Sequence, residues 1–164
     1  MSKQLLIFVG IGVVVIAVAI FTVFSTTKGS HLELKGQILK VRTGALDDQS
    51  SAAVLDFRLE NPSDVPFVVR DVNVTVEKQD GSSVEGSIVS KSDIKQLLQY
   101  NRFLGQSYND VLTIRDKIVP HSTLDRMVAV HFEVPVSQLE GGKAIHLQIQ
   151  DMDGALFETA HTVK

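Results

Sequence analysis

Three histidines in the last third of the chain, His131, His146 and His161, stand at equal spacings of 15 residues. Imidazole is a standard zinc ligand, and Glu133 supplies a fourth donor, so the set has the composition of a tetrahedral site. Register decides whether it can assemble. His146 and His161 fall on the arms of a predicted hairpin, residues 143–151 and 155–163, joined around Met152, Asp153 and Gly154. A two-residue Asp153-Gly154 turn would pair His146 with His161, but it also sets Ile149 against Glu158 and Leu147 against Ala160. A three-residue loop, with Gly154 left-handed and a bulge after it, sets Ile149 against Phe157. Apolar then meets apolar, so this register is expected. It sends the two imidazoles to opposite faces. Solvated or edge-of-core histidines are the expectation, with a histidine-based metal site as the alternative that metal analysis would decide.

Other reactive-looking groups are equally isolated. Asp151-Met152-Asp153-Gly154 starts like a calcium loop but lacks the third acidic position and the distant Glu. Ser63, in RLENPSDVPFVVRDVNVTV (58–76), has no histidine between His31 and His121 to serve as its base. Asp47 and Asp48 lie in a loop where water solvates them, so no raised pKa is expected. Asn73-Val74-Thr75 fits a glycosylation sequon but points outward from mid-strand. No phosphate loop, nucleophile elbow, zincin motif or paired cysteine occurs. The chain is expected to hold no catalytic residue, cofactor or metal, and not to be an enzyme.

The elements that carry these residues are mostly strands. Residues 31–42 alternate, then break at Gly36, a predicted bulge or bend. Within 54–60, Leu55, Phe57 and Leu59 share one face while Asp56, Arg58 and Glu60 share the other, the pattern of a half-buried strand. Asn61-Pro62-Ser63 then marks a corner, since proline lacks the amide hydrogen a ladder needs and Asn and Ser bond their own backbone. Val72, Val74 and Val76 open the next face, and Asp80-Gly81 predicts a hairpin turn into a strand at 84–89. Ser90 with Asp93 resembles a capping box, and Ile94, Leu97 and Leu98 follow at helical spacing. That predicts a short helix over residues 91–100, laid across one end of the sheets. A strand at 111–119, a corner at Pro120, a strand at 124–134, a turn or a single helical turn at 135–142 and the last hairpin complete the chain. Eight strands with turn signals every eight to twelve residues predict an all-β, immunoglobulin- or fibronectin-III-like antiparallel β-sandwich with one inserted helix. The absence of Trp and Cys excludes the antibody version with its disulfide.

Residues 5–24, LLIFVGIGVVVIAVAIFTVF, carry no charge, and Thr22 is their only hydrogen-bonding side chain. A helix of that length covers about 30 Å, the thickness of the hydrocarbon core of a bilayer. We expect a tail (1–4), a single transmembrane helix (5–24), a polar linker (25–30) and a sandwich domain (31–164). A cleavage site at Ala17-Val18-Ala19 would leave a greasy new terminus, so a retained anchor is preferred. The short tail favours a cytoplasmic N-terminus and an extracytoplasmic domain, although Lys3 before the span and Lys28 after it nearly balance. All 19 acidic residues follow the span against 14 basic ones from residue 31 onward, 14 − 19 = −5, which argues against nucleic acid or an anionic surface as partner.

The segment VLDFRLENPSDVPFVVRDVNVTV (54–76), with its strand ending in Asn61-Pro62 and its later strand of alternating Val, resembles the late-embryogenesis-abundant type 2 domain. That family includes the water-stress and hypersensitive-response module. IVPHST (118–123), followed by the strand Val128 to Val134, resembles its later proline-bearing corner. The resemblance covers about half of the soluble part and implies an immunoglobulin-like sandwich, often behind a single anchor, with a non-enzymatic protective or binding role. The helix and YNRFLGQSYND (100–110) depart from the family pattern. Tyr100, Arg102, Phe103 and Tyr108 there form an aromatic-plus-Arg group outside the strands, a candidate site for a protein partner in the envelope. The plainer expectation is that Phe103 and Tyr108 plug one end of the sandwich.

Overall fold

The computed structural model describes Ile16 and residues 33–163. Apart from Ile16, the predicted span and linker, with His31, lie outside the described residues, among which no helix is long and apolar enough to cross a membrane. Among the described residues nine strands form: β1 (Lys35–Ala45), β2 (Ser51–Asn61), β3 (Phe67–Glu77), β4 (Ser83–Ile88), β5 (Asp110–Val111), β6 (Lys117–Ile118), β7 (Ser122–Phe132), β8 (Ala144–Asp151) and β9 (Leu156–Thr162). Helix α1 (Lys91–Tyr100) and a 3-10 turn (Arg102–Leu104) lie between β4 and β5, and α2 (Val136–Glu140) precedes β8.

The strand order is β1-β2-β7-β4-β3-β8-β9, with β5 beside β7 and β6 beside β3. Strand β4 makes this path continuous. Its first residues pair with β3, Val74 opposite Gly86, and its last two pair with β7, Ile88 opposite Val130. The result is an antiparallel β-sandwich of two layers bridged at β4. Alternation puts Leu55, Phe57 and Leu59 of β2 and Val128, Val130 and Phe132 of β7 against Val74 and Val76 of β3 and Ile145, Leu147 and Ile149 of β8. All are buried. Removing each such side chain from water contributes about 1.5–3 kcal/mol, which is what holds the layers face to face.

The hairpin register follows the apolar pairing. Ile149 faces Phe157, His146 faces Ala160, and Ile145 faces His161. Gly154, at φ 93°, ends the three-residue loop in the conformation that glycine adopts without steric cost. The Asn-Pro corner is likewise a corner. Asn61 is buried, its Nδ2 donates to the carbonyls of Val65 (2.9 Å) and Ile118 (3.0 Å), and its Oδ1 accepts from the Ser63 amide (3.1 Å). The Ser63 hydroxyl lies 2.6 Å from that same Oδ1, engaged in the turn.

Three expectations fail. Residues 111–119 are not one strand: β5 runs parallel to β7, the chain turns, and β6 pairs antiparallel with β3. The Asp116 carboxylate makes the turn, accepting from the amide and hydroxyl of Thr113 (both 2.8 Å), with Arg115 at φ 72°. The bulge of β1 falls between Ile38 and Lys40, while Gly36 pairs regularly with Leu59. A Cβ on Gly36 would collide with the carbonyl of Arg58, so close approach rather than bending accounts for the glycine. Finally, α1 does not cross an end of the sheets. It packs on the outer face of the sheet formed by β1, β2 and β7.

Candidate functional site

The outer face of β2 and β7 begins with small or flexible apolar residues, Ala52, Val54, Met127 and Ala129, all fully buried. Ile94 and Leu104 cover them, with Leu97, Leu98 and Val111 partly buried at the margin. The two alanines leave room for a helix to lie close, and the Ile94-Leu97-Leu98 spacing gives α1 one apolar face to present. At its start, the Ser90 hydroxyl bonds the Asp93 carboxylate (2.7 Å) rather than a backbone amide, so the shorter Asp does not close the predicted capping box. At its end, Asn101 is buried. Its Nδ2 donates to the Ala45 carbonyl (2.7 Å) and its Oδ1 accepts from the Phe103 amide (3.0 Å). It lies so close to Gly44 that a Cβ there would stand 2.5 Å from its Nδ2.

Beyond Asn101 the insertion is fastened by charge. Arg42 of β1 and Asp56 of β2 both point to this face, and both are buried. Arg42 Nη2 lies 2.7 Å from Asp56 Oδ2, and Nη1 donates to the carbonyls of Leu104 and Gln106 (2.8 Å for the latter). Asp56 Oδ1 accepts from Asn109 Nδ2 at 2.8 Å. One buried ion pair therefore bonds both sides of the loop 105–109. The Tyr108 ring covers the guanidinium, 5.0 Å from Arg42 Cζ, with Lys40 Nζ at 6.0 Å. Cation–π geometry of this kind shields the pair from water.

The aromatic group left on top faces solvent. Phe103 is 87% exposed, Tyr100 75% and Tyr108 65%, and Arg102 is exposed beside them. The plug expectation is thus overturned, because Leu104, fully buried, is the side chain that fills the space. Beside the group runs a groove of about 510 Å³ between α1 and the loop, with Ile94, Leu98 and Val111 on its walls and Lys91 and Lys95 on its rim. Its size is that of a small-ligand or side-chain pocket. Sequence reasoning missed the Arg42-Asp56-Asn109 brace. The available signal was a charged residue among apolar neighbours on the outer face of β2.

The histidines do not converge. His146 lies 3.4 Å from Glu77 and 3.6 Å from Glu158 on the outer face of the second sheet. His161 turns the other way, into a cleft of about 590 Å³ shared with Val41 and Ile145 between β1 and β9. His121, at φ 53°, bonds Asp64 (2.8 Å) in exposed loops. His131 sits on the first sheet opposite Ala52. Asp47, far from acquiring a raised pKa, is pushed below the usual carboxylate range by the Ser50 hydroxyl and the Gln49 amide. Asn73 Nδ2 is taken by Glu85 (2.8 Å).

No family model and no curated protein matches the chain. Among solved structures it is similar to a candidate lipoprotein, ycdA, of Bacillus subtilis subsp. subtilis str. 168, at 10% identity and TM-score 0.49 over 79% of this chain and 36% of that one. It is also similar to the archaellum periplasmic stator protein FlaG of Sulfolobus acidocaldarius, at 12% identity and TM-score 0.37 over 79% of this chain and 98% of the other. A third likeness is to an uncharacterized β-sandwich protein of Clostridium difficile 630, at 13% identity and TM-score 0.36 over 80% and 82%. The chain spans about a third of the length of the first. Likeness at this level assigns no activity.

Proposed function

We propose that this chain is a non-enzymatic binding or structural module, tethered to a membrane by residues 5–24 and facing the extracytoplasmic side. The Tyr100–Tyr108 surface would receive a protein partner there. The three strands β1-β2-β7 facing β4-β3-β8-β9 favour the immunoglobulin or fibronectin-III type of sandwich, a frequent scaffold for binding loops. One observation carries the partner reading: a buried ion pair bonds the Leu104 and Gln106 carbonyls and Asn109, fastening a segment on which Phe103 is 87% exposed. Preorganised exposed aromatics with an adjacent Arg are the composition of interface hot spots.

The test uses the full-length protein in its own membranes, with a photo-crosslinking residue at Phe103 and, as a control, at Asp80. A discrete adduct at 103 that is absent at 80, and lost with Tyr100→Ala or Arg102→Ala while the melting temperature holds, is the expected result. If those substitutions melt the domain, or the adduct survives them, the surface is not a partner site.

The family resemblance supports a second reading, a protective module that shields envelope proteins during drying. Its two pieces meet in space, since Asn61 of the first bonds the carbonyl of Ile118 in the second. The isolated protein should then protect an unrelated enzyme through freeze-drying better than albumin does. Equal protection would remove the reading.

A further inference from the structure

The two ends of the sandwich differ in what their loops expose. At the end where β3, β7 and β9 begin and β2 and β8 finish, the connections are 62–66, 119–121 and 152–155. Each carries a large apolar side chain in solvent, Val65, Val119 and Met152, between 40% and 51% exposed, and Leu156 lies just behind on the flank. At the opposite end the connections 46–50, 78–82 and 133–143 expose no large hydrophobic among the described residues. A single exposed apolar residue is ordinary on any protein. Three on adjacent tips at one end, and none at the other, form a pattern.

The tips are fastened to one another. Asp64 Oδ1 meets His121 Nε2 at 2.8 Å, joining the first loop to the second. Asn61 Nδ2 donates to the carbonyl of Val65 in the first loop and to that of Ile118 at the end of β6, where the second begins. The Met152 amide donates to the Val68 carbonyl at 3.0 Å, tying the third to the start of β3. The three apolar side chains are therefore held as a rim rather than swinging on separate loops.

Strand β1 starts at this same end, Lys35 lying opposite Glu60. The uncharged apolar run of the sequence stops at residue 24, with ten residues between it and Lys35. Ten residues reach at most about 35 Å when fully extended, so a span at 5–24 keeps this end of the domain close to the bilayer. We propose that this end docks on the bilayer surface, with Val65, Val119 and Met152 entering the headgroup and upper acyl region. The proposal rests on the membrane-anchor reading above. Exposed charges around the rim, Lys35 and Lys117 against Glu33, Glu60, Asp64 and Asp153, give no net attraction to anionic lipid. The contact is apolar and belongs on zwitterionic phosphatidylcholine as much as on acidic membranes.

The chain contains no cysteine, so single thiols can be placed at will. Val65→Cys, Val119→Cys, Met152→Cys and, at the far end, Asp80→Cys are each labelled with an environment-sensitive fluorophore. The full chain is then reconstituted in phosphatidylcholine vesicles carrying brominated acyl chains. Labels at 65, 119 and 152 should be blue-shifted and quenched several-fold more strongly than the label at 80, with no change on adding phosphatidylglycerol or salt. Flotation with the vesicles and resistance to carbonate extraction report the anchor separately. Protein that floats and resists extraction, yet quenches equally at all four positions, overturns the docking and leaves the anchor standing. Protein that does not float overturns both. A blue shift without quenching by the brominated lipid means the tips are covered by protein, a second copy or another partner, and also overturns the docking.

Discussion

On the outer face of the sheet β1-β2-β7, Ala52, Val54, Met127 and Ala129 are sealed beneath α1 and the 3-10 turn. On the outer face of β3-β8-β9, Gln148 is half-buried and Glu158 exposed, and no helix of the described chain lies over them. Both faces alternate, and both carry ion pairs. The pairs differ in kind. Arg42 and Asp56 are buried and bonded on several sides, whereas Lys143 and Glu77, 2.6 Å apart, lie at the solvent boundary. Covering a face converts a polar residue on it from a solubility device into a fixed point of the fold.

Removing one partner should expose this difference most sharply. Asp56→Ala leaves a buried guanidinium without its counter-charge, a situation that costs about 3–5 kcal/mol. It also frees Asn109, so the loop 105–109 should open to proteolysis and fast amide exchange before the sandwich melts. Glu85→Ala, on the uncovered face, should change stability by no more than about 0.5 kcal/mol. Denaturant melts of the two variants check the contrast. Comparable losses from the two would mean that covering the face does not matter.

Leu104→Ala comes next. Its side chain is the fully buried plug of the smaller core, and a truncation of this kind costs about 2–5 kcal/mol, toward the lower figure because the site lies under a thin layer that can settle. Tyr100 and Phe103 shortly precede it in sequence and are exposed, so Phe103→Ala should leave the melting curve unmoved. A loss at Phe103 equal to that at Leu104 would return the aromatic group to the core. Asn101→Ala removes two hydrogen bonds and strands the Ala45 carbonyl, at a cost of about 1–3 kcal/mol. Amide exchange at Phe103 and Leu104 should rise with it.

The inner core was legible in the sequence because strand alternation is local and the two hairpin registers differed in a single countable respect, whether Ile149 meets Phe157 or Glu158. The corner at Asn61-Pro62 was legible for the same reason, proline and asparagine acting within a few residues. The second core was not. Alternation assigns Ala52, Val54 and Asp56 to a solvated face, and only the docking of a helix some 40 positions later buries them. That Ala129 lies opposite Val54, and Met127 opposite Asp56, was a signal of a covered patch, but it emerges only once β2 and β7 are known to be neighbours. The candidate site was half legible. The exposed aromatics could be named from composition, while their brace joins β1, β2 and a loop through side chains 14 and 53 positions apart. The strand expected at 111–119 misled because its apolar content suits either of two sheets, and the chain serves both by turning at Asp116.

The smallest expected effect is a dependence on pH confined to the uncovered surface. Glu77 is held below its ordinary carboxylate value, first by the hydrogen bond from Lys143 and then by His146. A carboxyl whose folded pKa is depressed adds stability at pH values above its unfolded pKa and loses it as pH falls through the folded value. Asp125 behaves alike through Arg58, on the part of the first sheet that the insertion leaves bare. Lys143→Ala should therefore lower the melting temperature slightly near neutrality, where the contribution is present, leave it unchanged at the acid end, where it is already lost, and so flatten the acid limb. Arg58→Ala should do the same, and the two effects should add, since the pairs stand on different sheets and share no partner. Raising the salt concentration should shrink both, because exposed pairs are screened. An acid limb that keeps its slope in the double variant would show that other carboxylates set it.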